Sequence, residues 1–135
     1  MTRLVLAALA AMLCNAAQAQ GWPTKPIRLL VPFAPGGSSS IVARSIAVEM
    51  EKGLGQPIIV DNRPGGGGNV AALATKQAAP DGYTLFLTNM GVMAVNPMLF
   101  PDLRFDPVKD FAPITPIISF PHILVVPPDS QATTV

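Results

Sequence analysis

The amino-acid sequence predicts an α/β protein built on a doubly wound, mostly parallel sheet. Three observations carry this prediction. Apolar runs of strand length recur at Ile27–Val31, at residues 57–60 and at residues 83–88. Stretches with helical spacing fill both intervals between them. Glycine, proline and aspartate gather at the junctions, so the order reads βαβαβ, which right-handed crossovers wind into a parallel sheet.

The first strand, Ile27–Val31, is apolar apart from Arg28, as a strand covered on both faces requires. It runs into Pro32-Phe33-Ala34-Pro35-Gly36-Gly37 and then Ser38-Ser39-Ser40, a glycine turn at the head of a helix. Ala43, Ile46, Ala47, Met50 and Leu54 repeat on one face of that helix, with Arg44, Glu49, Glu51 and Lys52 on the other. Ser39 or Ser40 is expected to cap its start, and Gly53 and Gly55 to end it. The second strand covers residues 57–60, and Asp61-Asn62-Arg63-Pro64 with the glycines at 65–68 forms a long turn. Asn69 opens an alanine-rich helix through Ala78, and Pro80-Asp81-Gly82 turns the chain into the third strand, residues 83–88. Beyond Thr88 the pattern loosens. Residues 89–100 read as a loop with a short helix, and Asp106 as the cap of one helical turn with Pro107 in its first position. Residues 114–119 and 122–126 read as two further strands split by Pro121.

The first nineteen residues address the protein and do not build it. Arg3 gives a positive start, residues 4–13 form an unbroken apolar run, and Ala17-Gln18-Ala19 has the small-x-small pattern of a cleavage site. A signal peptide at residues 1–19 and export to the periplasm are therefore expected. The apolar run falls short of the roughly 20 residues of a membrane-spanning helix. Leu13 is too large to precede a lipidated cysteine, so Cys14 belongs to the leader. Removing nineteen of the 135 residues leaves 116, enough for one small domain. That remainder has no cysteine and is held by its core instead of by disulfides.

With Arg3 removed, eight basic residues face eight acidic ones, a balance that offers nothing to nucleic acid or an anionic membrane surface. The fifteen prolines and eleven glycines punctuate the apolar runs, so the chain reads as globular and not disordered.

The residue groups with chemical potential are few. Gly66, Gly68 and Ala71 match the G-x-G-x-x-A dinucleotide fingerprint in letters, after a strand and before a helix. Four residues separate strand from glycines, the strand is the second, and no acidic residue lies about 20 positions on. A flexible or close-packed turn is the competing account. No Gly-Lys-Ser or Gly-Lys-Thr triplet exists for a phosphate-binding Walker loop. His122 is the sole histidine, which excludes a catalytic triad or a histidine metal cluster and leaves it an edge or interface residue. Met90, Met93 and Met98 invite a copper reading, but their irregular spacing fits packing better. Asp102, Asp106 and Asp110 lack calcium-loop spacing and read as capping residues on a solvated face. Trp22 is expected to cover the start of the sheet.

Two loops remain, residues 33–40 and 88–91, at the carboxyl ends of the first and third strands. In an open parallel sheet those ends share one rim, where ligands bind at the reversal of strand order. Gly36 and Gly37 let backbone approach a ligand, Ser38, Ser39 and Ser40 offer hydroxyls and amides, and the helix dipole favours a negative group. An ordinary strand-to-helix turn would use the same residues.

Six motifs taken together shift that balance. They are Pro26-Ile27-Arg28-Leu29-Leu30-Val31-Pro32-Phe33-Ala34-Pro35-Gly36-Gly37, Leu54-Gly55-Gln56-Pro57, Asp61-Asn62-Arg63-Pro64-Gly65, Gly67-Gly68-Asn69, Ala79-Pro80-Asp81-Gly82-Tyr83-Thr84 and Asp106-Pro107-Val108-Lys109-Asp110-Phe111-Ala112-Pro113. In order and spacing the chain resembles the Bug receptors, the extracytoplasmic solute receptors of tripartite tricarboxylate transporters. The resemblance implies a type II periplasmic binding protein, with two α/β domains joined by crossing strands and closing on the ligand like a clamp. Family members are usually more than twice this length. Residues 20–121 then correspond to most of the first ligand-binding domain, and residues 122–135 to a crossing strand toward a missing second domain.

The same resemblance implies a receptor and not an enzyme. It needs no cofactor, captures a small organic carboxylate or related solute, and passes it as a monomer to membrane permease subunits. The ligand-binding positions carried over are Phe33, Ala34, Gly36, Gly37, Ser38, Ser39 and Ser40 in the first loop and Thr88 and Asn89 in the second. Ser40 stands where many members have aspartate, so a ligand amino group loses a charged partner and a purely carboxylic or uncharged solute is favoured. Two other readings stay open at this stage: a dinucleotide-dependent oxidoreductase fragment using residues 66–71, and a truncated product without ligand function.

Overall fold

The computed structural model describes residues 21–121 and 125–130. The expected signal peptide, His122 and the core of the expected crossing strand lie outside the described residues.

Three parallel strands form the sheet: β1 (Ile27–Val31), β2 (Ile58–Asn62) and β3 (Thr84–Phe86), in the order β2-β1-β3. Ile27 pairs with Ile58 and Val31 with Asn62, while Arg28 pairs with Thr84 and Leu30 with Phe86. Helix α1 (Ser38–Leu54) connects β1 to β2, and helix α2 (Asn69–Lys76) connects β2 to β3. The chain thus steps outward on one side of β1 and returns to the other, as the doubly wound reading required. The central strand is the most enclosed: Ile27 and Val31 are fully buried and Leu30 nearly so. Arg28 alone on that strand is exposed; its guanidinium lies 3.3 Å from Asp61, which Arg63 also approaches at 3.0 Å.

The strand alternation divides the core. Ile27, Leu29, Val31 and Ile58 pack with Ala43 and Ala47 of α1, and Ile46, Met50 and Leu54 extend that layer. On the opposite face Ala72 of α2 meets Val92 and Phe105, with Phe86, Met93, Leu103 and Phe111 around them. Met93 of the methionine stretch therefore serves packing, whereas Met90 and Met98 are exposed.

Several boundaries differ from the sequence reading. Strand β2 begins one residue later and extends through Asp61 and Asn62, because the ladder to Leu30 and Val31 holds these polar residues in register. Strand β3 is shorter than residues 83–88, although Tyr83 O and Leu87 N each add one bond to β1 beyond its ends. Helix α1 ends as expected, at Gly55 in the left-handed region (φ 69°) with its amide on Glu51 O. Its start is different: Gly37 is the cap, and neither Ser39 nor Ser40 makes a side-chain capping bond. The region after β3 is more helical than a loop, with a π-helical turn at Gly91–Val95 leading into α3 (Asn96–Leu99).

The turn at Asp106 forms as expected. Its carboxylate accepts the Val108 and Lys109 amides at 2.9 and 3.1 Å, and the Asp110 amide closes on Asp106 O at 3.0 Å. The strand expected at residues 114–119 is not present, and that expected at 122–126 lies largely outside the described residues. Residues 112–121 are exposed, as are Val125 and Val126, and no strand among the described residues offers them a ladder. At the other end the Trp22 ring packs tilted by 55° against Tyr83, centroids 5.9 Å apart, and beside Gly82, and the Thr24 amide donates to the Tyr83 hydroxyl. Trp22 does cover the start of the sheet at β3, while remaining half exposed. No helix among the described residues is long and apolar enough to cross a membrane.

Candidate solute-binding site

With strand order β2-β1-β3, the helix after β1 packs on one face of the sheet and the π-helical turn after β3 on the other. The gap between them is where open parallel sheets hold ligands. A recess of about 340 Å³ opens there, lined by Phe33, Gly37, Ser38, Ser39 and Asn89. Gly37 O accepts the Ser40 and Ile41 amides at 3.0 and 3.1 Å, which starts the helical ladder. The Ser38 and Ser39 amides and hydroxyls are left without a partner among the described residues. Seventeen residues of aligned peptide dipoles stand behind them, which makes this corner receptive to a negative oxygen.

The second loop is organised by Asn89. Its Oδ1 accepts the Val92 amide at 3.1 Å and its carbonyl the Met93 amide at 3.2 Å, fixing the start of the π-helical turn. The Nδ2 donor of Asn89, a residue that lines the recess, has no partner among the described residues. Thr88 Oγ1 beside it is buried with no hydrogen-bond partner. None of the five lining residues is ionisable, so the recess offers amides, hydroxyls and one aromatic face.

Of the expected ligand positions, the structure brings Phe33, Gly37, Ser38, Ser39 and Asn89 together. Ala34 and Gly36 are exposed at the turn and do not line the recess. Gly36 needs its glycine for backbone reasons, at φ +88° with open space around it. Ser40 is 1% exposed and points away, its hydroxyl 3.3 Å from Asn62 Oδ1. Sequence reasoning missed Asn62, which also donates from Nδ2 to Phe33 O at 2.9 Å and accepts from Arg44 at 3.4 Å. The available signal was an amide placed where an apolar strand ends.

The glycine run has a different job from the dinucleotide fingerprint it imitates. A Cβ on Gly68 would sit 2.5 Å from Val92 Cγ2 and 3.1 Å from Pro32 Cβ. Gly67 faces Asn96 and Phe100, and buried Asn96 donates to Gly67 O at 3.1 Å and Asn69 Oδ1 at 2.6 Å. Side chains occupy the ground a pyrophosphate would need, so the glycines allow close packing of loop on helix. A second recess of about 320 Å³ lies beyond, between α2 and residues 100–105. The described residues include no cluster of histidine, cysteine, aspartate or glutamate able to hold a metal.

Residues 42–135 match the family model described as the tripartite tricarboxylate transporter family receptor. The chain belongs to this family. A UPF0065 protein of Bordetella bronchiseptica is 41% identical over 125 residues, covering 93% of this chain and 37% of that protein. Among solved structures, MatC of Rhodopseudomonas palustris with bound malate is 46% identical with a TM-score of 0.66, over 68% of this chain and 31% of MatC. The periplasmic binding protein BugD is 36% identical with a TM-score of 0.66, over 69% of this chain and 31% of BugD. The fold is accordingly that of the periplasmic binding proteins. The chain spans about a third of the length of the curated relatives it matches.

Proposed function

We propose that this chain carries one ligand-binding lobe of a periplasmic solute receptor. The receptor captures a small carboxylate and hands it, chemically unchanged, to the membrane permease of a tripartite tricarboxylate transporter. Residues 1–19 direct export, residues 20–121 build the lobe, and residues 122–135 begin the crossing toward a second lobe. Monomeric action suits a clamp whose two jaws belong to one polypeptide.

One observation carries this reading. The recess at the reversal of strand order presents unpartnered Ser38 and Ser39 donors at the head of a long helix, with no ionisable side chain among its lining residues. Such a surface stabilises a carboxylate through oriented donors and the helix dipole. The malate bound to MatC supports the same class of solute. Ser40 is turned inward, so the usual partner for a ligand amino group is missing from the rim and a purely carboxylic solute is preferred.

Titration calorimetry of the chain with malate, citrate, adipate and aspartate tests the proposal. Saturable heat with a carboxylate, weakened about tenfold by the pair Ser38→Ala and Ser39→Ala, is the expected result. Absence of heat from every carboxylate, or unchanged affinity in the double variant, would overturn it. Incubation with the bound acid should return that acid intact.

A further inference from the structure

We propose that Asn62 is the positioning residue of the first binding loop, closing residues 33–40 into a ring from outside. The inference rests on the receptor reading and adds to it the side chain that shapes the site. Asn62 is the last residue of β2, one strand away from the loop, and pairs in register with Val31. Its Nδ2 donates to Phe33 O at 2.9 Å, at the loop's first residue. Its Oδ1 accepts from Ser40 Oγ at 3.3 Å, at the loop's last residue, with Arg44 of α1 joining at 3.4 Å.

Little else defines the loop. Within residues 33–40 the backbone makes one closing bond, from Ser40 N to Gly37 O, and Gly36 has no neighbour against which to pack. Phe33, Gly37, Ser38 and Ser39 all line the recess, so the distance between the ring's two ends sets the spacing of the recess donors. The task demands a side chain that donates and accepts at once. An amide does both, whereas a carboxylate only accepts and would meet the Phe33 carbonyl oxygen to oxygen. Arg63 N on Val31 O, at 2.8 Å, holds Asn62 at the correct height on the sheet. Gating binding geometry through a fixed amide lowers the cost of ordering the loop when a ligand arrives.

Amide NMR of residues 37–39 and malate calorimetry on the full chain, with Asn62→Ala and Asn62→Asp, test the assignment. At about pH 7 both variants should shift those amide signals and weaken malate about tenfold, with the core amides of β1 unmoved. At about pH 4 an ordinary aspartate is about half protonated, and the protonated form again donates on one side and accepts on the other, so Asn62→Asp should move part of the way back to the unsubstituted signals while Asn62→Ala does not. The charged groups about that position are Arg44 on α1, Asp61 on β2 with its partner Arg28 on β1, and Arg63 just past the end of β2. Loss of general stability alone would not be reversed by protonating one side chain. Unchanged amide signals in Asn62→Ala, or no recovery of Asn62→Asp in acid, would overturn the inference. If the alanine variant does not fold, Ser40→Ala releases one end of the ring: moved signals at residues 39–41 with Phe33 in place support the clasp, and unmoved signals reject it. No heat from malate with the unsubstituted chain would count against the receptor reading, and the NMR comparison would still decide the role of Asn62.

Discussion

A methyl group at position 68 has nowhere to go. Gly68 sits at φ +98° with Val92 Cγ2 and Pro32 Cβ within 2.5 and 3.1 Å of where its Cβ would be. Gly68→Ala therefore combines overpacking with backbone strain and should cost about 3 kcal/mol, read as a fall in the urea midpoint. Gly53 makes the opposite case. It lies inside the last turn of α1 with open space around it and a negative φ, so Gly53→Ala should stabilise the protein by about 0.5–1 kcal/mol. In sequence the two glycines look alike, each beside a helix. Only packing against Val92, 24 residues along the chain, tells them apart.

At the scale of elements, the turn at Asp106 is an acid-sensitive joint. The Asp106 carboxyl is held below the ordinary aspartate value by the Val108 and Lys109 amides, and that of Asp110 by the Asp106 amide and then by Lys76. Groups depressed in the folded state add stability that is present above the unfolded pKa of about 3.9 and is lost as pH falls through the folded value. Urea midpoints should fall on acidification below about pH 4, and Asp110→Asn should begin lower at neutral pH yet fall less steeply. Identical slopes for the two proteins would contradict this. Capping of this turn was legible because its partners lie within four residues. The strands β1, β2 and β3 were legible for a related reason: apolar runs bounded by turn residues report burial directly. Ser40 was not, since its partner Asn62 is 22 residues away and meets it only once β1 and β2 pair in parallel. Residues 114–119 show the converse failure. Their apolar character suits a strand, but no neighbouring strand among the described residues supplies the bonds that would make one. The two loops that line the recess were legible from their position at the strand ends, while which of their residues face it depended on how the turn closed.

For the molecule as a whole, two apolar layers enclose one small sheet, and apolar surface continues beyond them. Ile114, Ile117, Ile118, Phe120, Val125 and Val126 are all exposed. A backbone without ladder bonds is an accessible substrate for proteases. Limited digestion with proteinase K, which cuts after aliphatic and aromatic residues, should cleave at Ile117 and Ile118 well before Phe86 or Phe105, which are held in the second layer; mass spectrometry of the first fragments would check the order. The anchoring of Trp22 and Thr24 on Tyr83 holds the end of the sheet at which its strands start. These contacts gather where the parallel strands begin, about 16 Å from where β1 ends, at about 3.3 Å per residue. A surface linker or affinity tag joined ahead of Gly21 therefore reaches the fold from the side away from the recess, and a chain immobilised in that way presents its mouth to the solution.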